Sequence, residues 1–167
     1  DGKINDDVVV GAAFSYTDAD IDGDTITSNR LAIEGYQLSA YLTYALDETT
    51  FVDALASFGS NSNESRRQIA IGAINGVGSA DYYSWYGRLY GAVGRDYALS
   101  EQFTLTPTVS LAYTYIDEDS YTEKGLGDIG LAVKGRDADY AVAALNLAGN
   151  YRLNEQHRFS ADAGFGY

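Results

Sequence analysis

Apolar and polar residues alternate along most of the chain. In "VVVGAAFSY", Val8, Val10, Ala12, Phe14 and Tyr16 form one row, with Val9, Gly11, Ala13 and Ser15 opposite. In "GYQLSAYLTYAL", Tyr36, Leu38, Ala40, Leu42, Tyr44 and Leu46 oppose Gln37, Ser39, Tyr41, Thr43 and Ala45. In "FTLTPTVSLAYTY", Phe103, Leu105, Pro107, Val109, Leu111, Tyr113 and Tyr115 oppose a row of Thr, Ser and Ala. A period of two is the signature of β-strands with two unlike faces. The pattern predicts seven strands, near residues 8–16, 31–46, 51–60, 82–97, 103–116, 138–153 and 158–167. Pro107 removes a ladder donor inside the fifth, so a bulge or distorted pairing is expected there.

Alternation alone fits a soluble sandwich as well as a barrel. Three features favour the barrel. Tight turns at 47–50, 100–102 and 154–157 lie at one end of the strands, and long connections at 17–30, 61–81 and 117–137 lie at the other. Short turns on one side and long loops on the other are the outer-membrane arrangement. Charge is sorted by face: Asp53, Arg88, Asp96, Arg152 and Asp162 all fall on the row opposite the apolar one. Arg95 is the exception, close enough to a turn for its long side chain to reach the interface.

Aromatics gather at strand ends. Tyr44, Phe51, Tyr97, Phe103, Tyr151 and Phe159 flank the tight turns, while Tyr16, Tyr36, Phe58, Tyr83, Trp85, Tyr113 and Tyr115 lie towards the long loops. They read as two interface girdles. Phe103 to Tyr113 is about 33 Å of strand, or about 25 Å of depth when tilted, the height of an outer-membrane apolar band. The predicted fold is an all-β, antiparallel up-and-down transmembrane β-barrel. Its apolar row meets lipid, and its small polar row lines a wet lumen.

Composition narrows the picture further. The 167 residues carry a formal net charge of −13, from 24 acids and 11 bases. No basic stripe is present for nucleic acid. The absence of Cys removes disulfide, zinc–thiolate and thiol chemistry. The absence of Met leads to the expectation of a processed or excerpted chain. Fifteen Tyr and 18 Gly against one Pro suit long, crowded strands. No apolar run is long enough for a transmembrane helix.

Candidate chemistry is sparse. "TDADIDGDT" places Asp18, Asp20, Asp22 and Asp24 at alternate positions around Gly23. A helix-flanked calcium loop would need Glu at its twelfth position, which here is Asn29 between strands. The run reads as the crown of an outer hairpin, with divalent-ion binding at Asp18, Asp20 and Asp22 the alternative. His157 lies in a tight turn, and nothing puts a nucleophile and an orienting acid beside it. "RRQIAIGAINGVGSA" (66–80) lacks a phosphate-loop Lys pattern and reads as an extended outer loop, with strand extension through Ile69 and Ile71 an option. The lumenal charges are expected to pair with one another or with water, or else to hold a plug. No catalytic residue, cofactor or enzymatic activity is expected.

The ordered series "VVVGAAFSYTDADIDGD", "GYQLSAYLTYAL", "FTLTPTVSLAYTYIDEDSYTEKG", "LAVKGRDADY" and "FSADAGFGY" resembles the β-domain of type V autotransporters over residues 8–167. The resemblance includes a Tyr-x-Glu-x-Gly element at Tyr121, Glu123 and Gly125. It implies a twelve-stranded outer-membrane translocator barrel for an N-terminal passenger. The implied partners are outer-membrane lipid, the passenger with its linker helix in the lumen, and the barrel-assembly machinery. An odd number of strands leads to the expectation of one barrel domain, residues 1–167, with flanking strands beyond both ends. A porin-like or adhesin-like barrel without a passenger, or a soluble all-β binding module, are the competing readings.

Overall fold

The computed structural model describes residues 1–23, 29–72, 74–154 and 156–167. Its elements in chain order are β1 (Gly2–Lys3), β2 (Val8–Gly23), β3 (Asn29–Ala45), β4 (Thr50–Ile71), β5 (Ile74–Arg95), β6 (Tyr97–Ala98), β7 (Phe103–Glu118), β8 (Tyr121–Thr122), a 3-10 turn (Gly127–Ile129), β9 (Ala132–Val133), β10 (Arg136–Arg152) and β11 (Arg158–Gly166). The sheet runs β1-β2-β3-β4-β5-β7-β10-β11, with β6 paired to β7 in line with β5. All pairing is antiparallel, so the chain is a meander; β8 and β9 form a separate small ribbon.

One cross-strand row explains the register. Val8 lies opposite Tyr44, Tyr44 opposite Val52, Val52 opposite Val93, Val93 opposite Val109, Val109 opposite Leu145 and Leu145 opposite Phe165. A slip of one residue anywhere would push a polar residue into this apolar row, so the register is strongly specified. The row starts at the beginning of β2 and reaches β11 near its end. That stagger is the shear a closed barrel demands.

The two faces are inverted relative to a soluble protein. Val93, Val109, Leu145 and Phe165 are 51%, 60%, 62% and 74% exposed, and Phe14, Leu38, Phe58 and Leu111 are comparably open. The buried residues are chiefly small or polar: Ser39, Asn63, Thr106, Ser110 and Thr114 beside Ala92 and Ala112. Apart from the segment carrying β8 and β9, no second layer packs on the sheet among the described residues. The polar face is therefore buried because it is concave, and the apolar face is exposed because it is convex. An exposed apolar surface this extensive needs an apolar solvent, which removes the soluble-module reading.

Several expectations need correction. The connection at 17–30 is largely strand: β2 runs to Gly23 and pairs it with Asn29. The connection at 61–81 is a tall hairpin, paired as far as Ile71 with Ile74. From Ser62, opposite Tyr83 of the girdle, to Ile71 this is ~30 Å of strand beyond the girdle. Ile69 and Ile71 do extend β4. Polar and small residues hid these strands, because outside a membrane neither row has to be apolar. At Pro107 the second of the two expected outcomes, distorted pairing, is found, and no bulge forms. Pairing with β10 is unbroken (Pro107 opposite Leu147), whereas on the other side it lapses after Gly94–Thr108 and resumes in the same register at Tyr97–Leu105. The missing N–H interrupts one ladder without inserting a residue.

Candidate functional site

The concave face carries the polar row, and the sheet pleat brings its members together. The Tyr86 hydroxyl donates to Gln37 Oε1, Gln37 Nε2 donates to Ser39 Oγ at 2.8 Å, and Ser39 Oγ lies 2.9 Å from Ser57 Oγ. These residues, with Tyr90, Thr114 and Tyr140, surround Arg88 in an open recess of about 520 Å³. Among the described residues the guanidinium of Arg88 has no ion-pair partner.

The other four charges assigned to this row share the face but do not line the recess around Arg88. Asp53 accepts from Thr43 Oγ1 at 2.7 Å, and Asp96 accepts from Thr106 Oγ1. Arg152 Nη2 donates to the Glu101 carbonyl at 3.0 Å, beside the tight turns. Asp162 stands opposite Ala148 near the middle of β11. Mutual pairing among the five is not seen. Asp96 and Arg152 line one recess at the narrow end, but each is taken up by its own partner, the Thr106 hydroxyl and the Glu101 carbonyl.

On this face bulky side chains lie across glycines of the next strand. Tyr41 stands opposite Gly11, Tyr86 opposite Gly59 and Phe51 opposite Gly94. A methyl group added at Gly59 would fall within the Tyr86 ring. Phe51 therefore points into the lumen, not into the inner girdle as its position beside a turn suggested. The flatness that a ring needs is supplied by glycine on the partner strand, a pairing visible only once register is known.

The girdles are otherwise on the convex face. Tyr36 packs against Phe14 and Tyr16, with ring centroids 6.0 and 5.2 Å away, and Trp85 packs between Phe58 and Tyr115 at 5.8 and 5.3 Å. Tyr83 and Tyr113 are exposed beside them. Towards the tight turns, Tyr44, Tyr97, Tyr151 and Phe159 are exposed. Phe103 lies opposite Tyr151, its ring over Gly149. Arg95 reaches the Tyr97 ring, 5.5 Å from its centroid, a cation–π contact at the interface.

The turns at the narrow end share one device, a side-chain oxygen accepting backbone N–H groups. Asp47 accepts from Thr49 and Thr50, both at 2.8 Å, which holds its carboxyl well below the usual carboxylate range. Ser100 and Asn154 act likewise. His157 Nδ1 lies 3.0 Å from Asn154 Oδ1 in an exposed turn.

Asp18, Asp20 and Asp22 lie on β2, not in a crown; Asp24 is outside the described residues. They are spaced along a strand rather than gathered around a point, and Asp20 is held by Arg30 at 2.8 Å. No group of three or more acidic or His side chains among the described residues could hold a metal ion.

Sequence reading missed the pair at the outer end. Arg67 Nε donates to Glu123 Oε1 at 2.8 Å, and Arg67 Nη2 donates to Oε2. The Glu123 side chain is 5% exposed and also accepts the Leu131 N–H at 2.9 Å. Arg67 above all, helped by that N–H, holds the Glu123 carboxyl below its ordinary range against the opposing effect of burial. The Tyr121, Glu123, Gly125 spacing was the available signal, but nothing in the sequence pointed to Arg67.

The family model for the autotransporter β-domain matches residues 1–167. Outer membrane protein A of Rickettsia conorii is 32% identical over 166 residues, covering 93% of this chain and 8% of that protein. The serine protease EspC of Escherichia coli is 26% identical over 171 residues, 96% of this chain and 12% of that protein. This chain thus spans a small fraction of its curated relatives. The translocator domain of the autotransporter NalP from Neisseria meningitidis superposes with a TM-score of 0.84 at 17% identity, over 98% of this chain and 56% of that one. With a lipid-facing convex surface, a polar concave one and a family match from end to end, the chain belongs to the autotransporter β-domain family and is a translocator domain of the bacterial outer membrane.

Proposed function

We propose that the concave face is the wall along which an N-terminal passenger of the whole protein crosses the outer membrane. The observation that carries this is the inversion of faces. A wet, mostly neutral row of Ser, Thr, Asn and Gln binds no single sequence tightly, as a conduit for an extended chain requires. Arg88, Asp53, Asp96, Arg152 and Asp162 are the charged contacts offered to a linker helix resting in the lumen. Tyr36, Tyr44, Trp85, Tyr97, Phe103, Tyr113, Tyr151 and Phe159 hold the barrel at its depth.

In this reading the barrel is a single domain completed by further strands. The far edge of β2 is paired only at Val9 and Val10, and the outer edge of β11 is unpaired among the described residues. Unsatisfied backbone of that length is not sustained in lipid. The structural relative's chain, of which this one covers 56%, has room for those strands. Insertion would rely on the barrel-assembly machinery. The barrel itself catalyses nothing in this reading, any enzymatic activity belonging to the passenger.

The test fills the lumen. Ser57→Trp and Thr114→Trp, both beside Arg88, are made in the full-length protein, and surface passenger is measured by protease accessibility on intact cells. Surface passenger is expected to fall while the barrel keeps its heat-modifiable migration. Undiminished surface passenger in both folded variants would refute the lumenal route.

A further inference from the structure

Residues 119–135 do not stand away from the barrel as a loop. β7 leaves β5 after Glu118, which lies opposite Ser84. The chain then continues along the vacated edge of β5. Asp119 N donates to the Tyr83 carbonyl at 2.9 Å, and Ser79 and Lys124 exchange backbone hydrogen bonds at 3.0 and 2.8 Å. Side chains of the segment turn to the lumenal side. The Tyr121 ring stacks on Tyr82 with centroids 4.4 Å apart, and Leu126 lies over Gly76 and Gly78.

The fastening depends on a gap in the wall. Arg67 on β4 stands directly opposite Gly78 on β5. Because Gly78 has no side chain, the guanidinium passes over β5 and reaches Glu123 on the far side. A Cβ at Gly78 would press on both Leu126 and the Glu123 carboxyl. Gly125 completes the device: its φ is 93°, and a Cβ there would strike the Val77 carbonyl. Tyr121, Glu123 and Gly125 thus have one task each: to stack, to latch and to turn.

We infer that residues 119–135 form a strap, latched by Arg67 and Glu123 onto the lumenal wall, that sets the width of the barrel's outer opening. The translocator reading enters only in naming the compartment this opening faces. The ion pairs Arg30–Asp20 and Arg66–Glu64 lie in the open, with every side chain about half exposed or more, and such pairs contribute little. Arg67–Glu123 is different because Glu123 is shielded. Removing one partner leaves the other charge buried and unpaired, so the strap is held or released as a unit.

The experiment uses the full-length protein on intact cells, with Leu126→Cys as the only cysteine of this barrel segment. Labelling by a membrane-impermeant maleimide reports release of the strap. Glu123→Gln is expected to speed labelling about tenfold, the loss of one charged hydrogen-bonded pair, and to raise single-channel conductance in planar bilayers. The exchange Arg67→Glu with Glu123→Arg is expected to restore slow labelling, and Glu64→Gln to change nothing. Unchanged labelling in folded Glu123→Gln would overturn the latch. Faster labelling without a conductance change would overturn its control of the opening. Misfolding of both Glu123→Gln and the charge exchange, seen as loss of heat-modifiable migration, would make the pair a folding element and overturn the strap. A folded protein that exposes no passenger would instead count against the translocator reading.

Discussion

Leu145 and Asn146 are neighbours on β10 with opposite surroundings, and they allow a within-strand test of the membrane assignment. Leu145 is 62% exposed on the convex face, opposite Val109 and Phe165 in the apolar row. Asn146 faces the lumen, opposite Thr108 and Gly164. The row lies between Tyr113 and Phe103 on β7, so Leu145 sits near mid-depth. Placing Arg there costs about 2–4 kcal/mol in an outer-membrane barrel. That is a roughly 30- to 1,000-fold loss in the folding equilibrium. Asn146→Arg puts the same charge in water and is expected to cost about 0.5 kcal/mol or less. The assay is denaturant unfolding of the full barrel from lipid vesicles, read by tryptophan fluorescence at Trp85. Equal losses for the two variants, or a greater loss for Asn146→Arg, would refute the assignment of faces.

Gly59→Ala forces a methyl group into the Tyr86 ring, and overpacking of this kind costs about 1–3 kcal/mol. Gly87→Ala, where a Cβ meets nothing within 4 Å, is the matched control, and the heat-modifiable fraction on a denaturing gel compares them. Asp47 contributes to stability through its ionised form, whose pKa is depressed by the N–H groups of Thr49 and Thr50. That contribution is complete above the ordinary carboxylate pKa and is lost only as pH falls through the depressed value. Asp47→Asn should therefore flatten the acid limb of the stability–pH curve below about pH 4; an unaltered limb would remove Asp47 from the account.

The membrane half of the fold was legible because the bilayer imposes a rule on sequence. Within the girdles every residue of one row must be apolar, so Leu38, Val93, Val109 and Leu145 could be read directly. Beyond the girdles water meets both rows, and the rule lapses. Asp18, Asp20 and Asp22 alternate like strand residues but looked like loop, and Ser62, Asn63 and Glu64 gave no pattern at all. The site divides in the same way. The facing of Arg88 and Asp53 followed from parity alone. The Tyr86–Gln37–Ser39–Ser57 network, the Phe51–Gly94 contact and the Arg67–Glu123 latch depend on which residue stands opposite which. Register is a property of strand pairs, and no single strand encodes it visibly.

The convex row also marks where the membrane ends. On four strands an aromatic residue and an acid stand two positions apart on this row: Tyr16 and Asp18, Tyr36 and Glu34, Tyr83 and Asp81, Tyr115 and Asp117. The acids then face one another across strands, with Asp18 opposite Glu34, Glu64 opposite Asp81 and Asp117 opposite Asp137. Like charges directly opposite are destabilising. In water at close range the repulsion is about 1 kcal/mol and is screened by salt, whereas in a low-dielectric layer it is many times larger. Arg66 offsets part of it through Glu64, and Arg30 on the same face is held by Asp20. Three opposed acidic pairs on one surface are tolerable only if that level is aqueous. The apolar-to-aqueous boundary must therefore fall in the two-residue step between each Tyr and its acid, which sets the barrel's depth independently of the aromatic girdle.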